Sequence, residues 1–163
     1  MSFIAKFRLI FVVSLLSIIL DQATKWWASH YLSHGPMNSY LADTFRLGYV
    51  ENTGAFLGLG SGMSDSAKFL IFVAAVGVIL LALLVFMFKS REQNTYSLIS
   101  LSLIFSGGIS NFYDRAMNNG AVIDFLNLGF GSLRTGIFNV ADMAIMLGVI
   151  MLLFAKNEVK KAA

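Results

Sequence analysis

Four stretches of this chain are apolar for long enough to cross a bilayer, which takes about 18–20 residues, and polar segments separate them. The first runs over about Leu9–Trp27 and is continuous apolar sequence from Leu9 to Leu20 apart from two serines. The second covers Lys68–Phe88 with no internal charge, and the third covers about Thr95–Phe112. The fourth, about 137–155, carries a single acid, Asp142, near its start. The insert 28–67 reads differently. It holds Pro36 and several glycines, and Thr44–Glu51 partly alternates, with Phe45, Leu47 and Tyr49 on one side, as a half-buried strand does. Asn118-Asn119-Gly120 is a turn signal, and the segment Ala121–Leu128 after it reads as extended.

Composition agrees with this pattern. The 163 residues are 57% hydrophobic and 13% charged, against roughly 45–50% and 25% in globular domains. Residues 1–163 are therefore expected to form a single membrane domain with four transmembrane helices, an all-α membrane protein. The first apolar run resembles a secretory signal, but Asp21-Gln-Ala-Thr-Lys25-Trp-Trp27 follows it instead of a small-residue cleavage site, so an uncleaved helix is expected. Lys6, Arg8, Lys89, Arg91, Lys156, Lys160 and Lys161 all fall on one side of a four-span topology. The positive-inside rule makes that side, with both termini, cytoplasmic. Asp21, Asp43, Glu51, Asp65, Asp114, Asp124 and Asp142 fall on the other.

Several chemistries drop out. There is no cysteine, so disulfide, thiolate and cysteine–metal chemistry is absent. The net charge is +3 and the basic residues form no patch, so no nucleic-acid partner is expected. The glycine-rich run from Asn52 to Gly62 lacks the Lys-Ser/Thr of a phosphate loop. His30 and His34 have helical spacing, but Tyr31 stands where a zinc protease has its Glu. No metal and no cofactor are expected.

The acids remain. A carboxylate inside an apolar helix costs roughly 2.5–3.5 kcal/mol at the helix centre and less near its end, so Asp142 needs a reason. Asp124 is likewise bracketed by apolar residues on the same outer side. The 17 residues between them let the chain leave the membrane, turn and re-enter beside its starting point. Two carboxylates meeting in a low dielectric share one proton, the arrangement of aspartic proteases. One would activate water and the other would protonate a peptide carbonyl. Asn139, three residues before Asp142, is expected on the same helix face. Asp114 and Arg115 are expected to fix the loop carrying Asp124, and Asp21 with Lys25, four apart, to pair. From these residues alone, a proton-coupled carrier or a non-catalytic assembly factor stays open beside an aspartate-based enzyme. Acids gathered at one membrane edge favour the enzyme.

Five blocks, in order, resemble the bacterial lipoprotein signal peptidase family, also called signal peptidase II. They are Asp21-Gln-Ala-Thr-Lys25; Asn52-Thr-Gly54-Ala-Phe56; Gly107-Gly-Ile-Ser-Asn111-Phe-Tyr-Asp114-Arg115; Gly120-Ala-Val-Ile-Asp124-Phe125; and Phe138-Asn139-Val-Ala-Asp142. The resemblance implies an aspartic endopeptidase of the bacterial cytoplasmic (inner) membrane. It would act on the extracytoplasmic side, removing signal peptides from prolipoproteins before a diacylglyceryl-cysteine. It implies Asp124 and Asp142 as the catalytic pair. Asn52, Gly54, Asn111, Arg115 and Asn139 would line the pocket for substrate and for globomycin-type inhibitors, with Asp21, Lys25 and Asp114 in support. It also implies a small extracytoplasmic β-cradle, built from Thr44–Glu51 and the Asp124 segment, and a surface helix or flap around Phe56–Met63. Membrane lipids are the other expected partners. Ser110, still a small residue, departs from the glycine or other small residue expected before the Asn, and Gly129–Thr135 matches nothing in the family pattern.

Overall fold

The computed structural model describes residues 1–54, 62–90 and 94–155. Most of the expected flap, and the basic residues Arg91, Lys156, Lys160 and Lys161, lie outside the described residues.

Helix α1 spans Phe3–Tyr31, longer at both ends than the expected apolar stretch. The Ser2 hydroxyl accepts the Ala5 N–H and starts it. At its other end Asp21 and Lys25 neutralise each other, so the helix continues through them. Strand β1 (Asn38–Tyr40) and strand β2 (Phe45–Asn52) form a hairpin. A short helix α2 (Asp65–Lys68) runs into a π-helical segment, Phe69–Ala75, and then helix α3 (Val76–Lys89). Helix α4 covers Thr95–Met117, capped by Asn94, whose side chain accepts the Ser97 N–H at 2.8 Å. It runs a full turn and more past its apolar stretch, because the polar residues at its end are paired internally. Strand β3 (Val122–Phe130), strand β4 (Leu133–Arg134) and helix α5 (Val140–Leu153) complete the chain.

The apolar helices thus carry a small antiparallel sheet in the order β1-β2-β3-β4. Strand β2 pairs with β3 from Phe45↔Leu128 to Asn52↔Val122, with a register shift between Leu47 and Val50. The bulge breaks the simple alternation, so Phe45, Leu47 and Tyr49 are all only part-buried. The turn at Asn118–Gly120 forms as the sequence signals, with Asn119 at φ 51° and Gly120 at φ 86°. The segment Gly129–Thr135 is the β3–β4 hairpin, with Gly131 at φ 55° in its turn.

Among the described residues two helices, Phe3–Tyr31 and Ser66–Lys89, have the length and apolarity to cross a membrane, and Val140–Leu153 is a shorter apolar helix. Helix α4 is more polar, yet it is the packing centre. Its Ser100, Ser102 and Ser106 donate back to the carbonyls of Tyr96, Leu98 and Leu103, which lets hydroxyls sit buried between helices. A Cβ at Gly107 would lie 2.4 Å from the Ala141 carbonyl of α5, and one at Gly148 would lie 2.6 Å from the Ser100 carbonyl of α4. Glycine at both positions brings the two helices into backbone contact.

Phe11, Leu16, Leu20, Val78, Leu81 and Leu153 point outward and are exposed. Apolar surface on this scale is that of a protein solvated by lipid. The buried apolar clusters are small. Ile10, Met87, Leu98 and Leu101 close one end, where Lys6 also donates to the Ser90 carbonyl. Ala28, Leu32 and Phe125 close the other and seat β3 on α1.

Candidate active site

The second end of the bundle holds a continuous polar network. It starts at Lys25, an ammonium 1% exposed in the middle of three helices. Its three protons have three acceptors: Asp21 Oδ2 at 2.7 Å, Asp114 Oδ2 at 2.9 Å and Asn111 Oδ1 at 2.8 Å. Asp21 Oδ1 accepts the backbone N–H of Ala141 at 2.7 Å and so ties α1 to the start of α5. Asp114 accepts the Ile123 N–H and fixes the beginning of β3.

Two residues strengthen this centre that the sequence reading did not single out as site residues. Gln22 donates to Ser110 Oγ at 2.9 Å and to Asp114 Oδ1 at 2.8 Å, and Ser110 Oγ donates to Asp21 Oδ2 at 2.7 Å. The signal was present in each case: Gln22 sits inside the Asp21–Lys25 block, and Ser110 brings a hydroxyl where glycine or another small residue was expected. The hydroxyl adds a link that glycine would lack.

Asn139 is not on the face of α5, as its spacing from Asp142 suggests, but is the residue that caps it. Its Oδ1 accepts the Asp142 N–H at 2.9 Å, and Asp142 Oδ2 accepts the Asn139 N–H at 3.1 Å. This reciprocal capping box is what holds a carboxylate at the head of an apolar helix. Asn139 is fully buried, and its Nδ2 donates at 2.7 Å to Asp124 Oδ1 and more weakly to Asn111 Oδ1 and the Ile123 carbonyl. One asparagine therefore touches both Asp124 and Asp142.

The four oxygens of these two acids are all engaged by N–H donors. Asp142 Oδ1 accepts Asn111 Nδ2 at 2.9 Å, and Asp124 Oδ2 accepts Asn52 Nδ2 at 2.9 Å. Neither acid forms an ion pair among the described residues, although Asp21 and Asp114 both do. Asp124 is 2% exposed. Burial pushes its carboxyl up to about 6, and the charge of Asp142 adds to the rise, against the donors from Asn52 and Asn139 and the charge of Lys25.

Arg115 approaches from the outer rim. It donates to the Gly54 carbonyl at 2.7 Å and lies over the Phe72 ring of the π-helical segment at 5.3 Å. Gly54 N–H in turn donates to Asn52 Oδ1 at 3.0 Å. A cavity of about 510 Å³ adjoins this rim, bordered by Thr53, Lys68, Phe72, Arg115 and Asn119. A second, almost wholly apolar groove of about 360 Å³ runs from Asp142 along Met143, Met146 and Ile150 of α5. Asp21, Lys25, Asn52, Gly54, Asn111, Asp114, Arg115, Asp124, Asn139 and Asp142 thus form one connected group, drawn from α1, β2 and the residues after it, α4, β3 and α5. His30 and His34 stay outside it; His30 stacks on Trp26 with ring centroids 5.5 Å apart. Among the described residues no group of three or more His, Asp or Glu side chains is arranged to hold a metal ion.

The family profile described as Signal peptidase (SPase) II matches residues 13–156. The chain belongs to the signal peptidase II family. A lipoprotein signal peptidase of Borreliella burgdorferi (strain ZS7) is 37% identical over 157 residues, which cover 93% of this chain and 90% of that protein. One of Borreliella afzelii is 35% identical, covering 94% and 91%. Two solved structures, each titled a bacterial membrane enzyme, superpose with TM-scores of 0.79 and 0.72, at 27% and 26% identity over 94% of this chain and 93% and 94% of theirs. Signal peptidase II enzymes are peptidases of the membrane, and the family removes signal peptides from prolipoproteins. The fold of apolar helices with a small antiparallel sheet is shared with both solved membrane enzymes.

Proposed function

We propose that this signal peptidase II is an aspartic endopeptidase that cuts prolipoproteins just before a diacylglyceryl-modified cysteine, with Asp124 and Asp142 as its catalytic pair. The observation that carries the reading is the contrast in charge partners. Among the described residues Asp124 and Asp142 have none, the two are tied through a single asparagine, and Asp142 opens onto the apolar groove along α5. Four helices span the bacterial cytoplasmic membrane in this reading, as one domain with both termini cytoplasmic and the site on the extracytoplasmic side. Helix α4 crosses as the polar strut between its apolar neighbours.

The chemistry follows from one proton shared by two carboxylates. The ionised aspartate takes a proton from water as the water oxygen bonds to the scissile carbonyl carbon. The protonated aspartate gives its proton to the carbonyl oxygen, forming a neutral tetrahedral diol. Return of one hydroxyl proton to an aspartate and delivery of the other aspartate's proton to the nitrogen break the C–N bond. The products are a free carboxylic acid and a free amine, and the pair is back in its starting state. Asn111 and Asn139 hold the carboxylates while this happens. In this reading Arg115 and Asn52, at the rim, take backbone carbonyls of the substrate or of a globomycin-type inhibitor. Acyl chains stay in the lipid beside α5 while water reaches the one bond at the edge.

The test is purified protein with a diacylglyceryl-modified prolipoprotein. Cleavage before the lipidated cysteine is expected, unaffected by chelators. Asp124→Asn and, separately, Asp142→Asn are each expected to lower kcat by at least about a hundredfold, the lower end of what acid–base groups contribute, with folding retained by circular dichroism. Cleavage at undiminished rate in either variant refutes the pair. Loss of activity with chelator refutes a reaction run by carboxylates alone.

A further inference from the structure

Lys25 touches neither Asp124 nor Asp142, yet the orientation of the site depends on it. An ammonium only donates. Its contact with Asn111 therefore requires that Asn111 present its oxygen to Lys25, which leaves Nδ2 facing Asp142. Asn139 cannot turn either, because its oxygen accepts the Asp142 N–H. The two amides thus have one arrangement each, and both aim N–H groups at the acids.

The acids then receive different treatment. Asp142 lies in the first turn of α5, at the positive end of the helix dipole, and one oxygen accepts a backbone N–H there. Its other oxygen is one amide away from the buried ammonium. Asp124 is on a strand, has no helix end behind it, and among the described residues accepts only from neutral side-chain amides. The charged groups facing Asp142 are Lys25 and Asp21 from α1, Arg115 from α4 and Asp124 from β3. Asp114 is already held by Lys25.

We propose that Lys25 is a positioning residue which, through Asn111, keeps Asp142 the ionised member of the pair and leaves the shared proton on Asp124. Asp142 is then the base that takes the proton from water, and Asp124 is the acid that protonates the carbonyl. The assignment rests on the aspartic reading above and adds an order to the two roles.

Infrared spectra of the detergent-purified enzyme, with ¹³C-labelled aspartate, test it directly. The wild type is expected to show a carboxylic-acid C=O band at mildly acidic pH. The band should disappear in Asp124→Asn and persist in Asp142→Asn. The reverse pattern, or no band in the wild type, overturns the assignment. Kinetics give a second readout. Lys25→Met is expected to move the acid limb of the kcat/KM–pH profile upward by about one unit, a roughly tenfold loss on the acid side, with KM little changed. Asn111→Ala keeps the ion pairs of Lys25 and should move the limb the same way, which covers the case in which Lys25→Met does not fold. A limb that stays in place in the folded variants overturns the role of Lys25, since a purely structural loss lowers the amount of active enzyme without shifting its profile. If both aspartate variants are inactive but the band pattern is reversed, the pair stands and only the assignment of the proton falls. If either variant cleaves normally, the aspartic reading itself falls.

Discussion

Asn111 links two pairs of aspartates that are treated in opposite ways: its oxygen accepts from the Lys25 ammonium that Asp21 and Asp114 share, and its Nδ2 donates to Asp142. Asp21 and Asp114 share the Lys25 ammonium and also accept from Ala141 N, Ser110, Gln22 and Ile123 N. Among the described residues Asp124 and Asp142 accept only from N–H groups of asparagines. A buried carboxylate with a cation beside it is committed to that partner, and what it does here is hold backbone in place. A buried carboxylate with amide donors but no cation can change its protonation state at little cost. The first pair joins α1, α4, β3 and α5; of the second pair, that junction presents Asp142 to the groove and keeps Asp124 buried behind it. Separating the two jobs lets the supporting pair be as firm as ion pairing allows while the other stays free to exchange protons.

The comparison breaks most sharply on exchanging the roles of the pairs. Asp142→Asn is expected to lose activity by about a hundredfold or more with thermal stability kept, as described above. Lys25→Met should do the reverse first. Removing one partner of a buried ion pair costs about 3–5 kcal/mol, and here two acids lose the same partner, so a large drop in the midpoint of detergent or thermal unfolding is expected. A Lys25→Met protein as stable as the wild type would show that the ammonium supports nothing.

Next in size is Gly107→Ala. Its new Cβ would sit 2.4 Å from the Ala141 carbonyl, backbone that cannot swing away. Overpacking of this kind costs about 1–3 kcal/mol, and it pushes Asn111 on α4 away from Asp142 on α5. Stability and kcat should fall together. Gly35→Ala, where a Cβ meets nothing within 4 Å among the described residues, is the matched control and should change neither.

The pH dependence of stability sharpens the contrast further. Asp124 titrates at about 6 in the folded protein against 3.8 unperturbed. The folded state therefore binds its proton more tightly than the unfolded state. That stabilisation is complete below the unperturbed value and is lost as pH rises through about 6. Unfolding midpoints measured from pH 4 to 7 should fall through this window, and Asp124→Asn should flatten the fall. The smallest effect is expected at Asp43, on the sheet surface. Arg46 binds it in two contacts of 2.6 Å and holds its carboxyl far below the usual range, and Arg134 reaches it at 3.4 Å. This group is exposed and remote from the asparagines, so Asp43→Asn should leave the rate of cleavage unchanged in the same assay.

Much of this was legible in the residues. Asp21 and Lys25 at helical spacing did pair, and the strand at Thr44–Glu51 did meet the Asp124 segment. Gly107 marked a close helix contact, and Asn118–Gly120 marked a turn. Other features were not. The tie between Asn139 and Asp142 was visible as a spacing of three, but its nature as a capping box depends on the helix beginning at Val140. Apolar sequence alone cannot place that boundary. Helix α4 extends past its apolar run because Asn111 and Asp114 find partners on α1, β3 and α5, which no local pattern reports. Ser110 looked like a minor departure until its neighbours, Asp21 and Gln22, were in place.

The order of apolar and polar stretches by itself determined that this is a membrane protein with a strand-bearing insert, and the five motif blocks determined its family. Those are properties of composition, period and spacing, which the unfolded chain already carries. Which acids are paired and which are free was decided only in three dimensions. Charge neutralisation is a matter of a few ångströms between atoms far apart along the chain, and only packing α1, α4, β3 and α5 together sends the one ammonium to Asp21 and Asp114 and leaves Asp124 and Asp142 with amides.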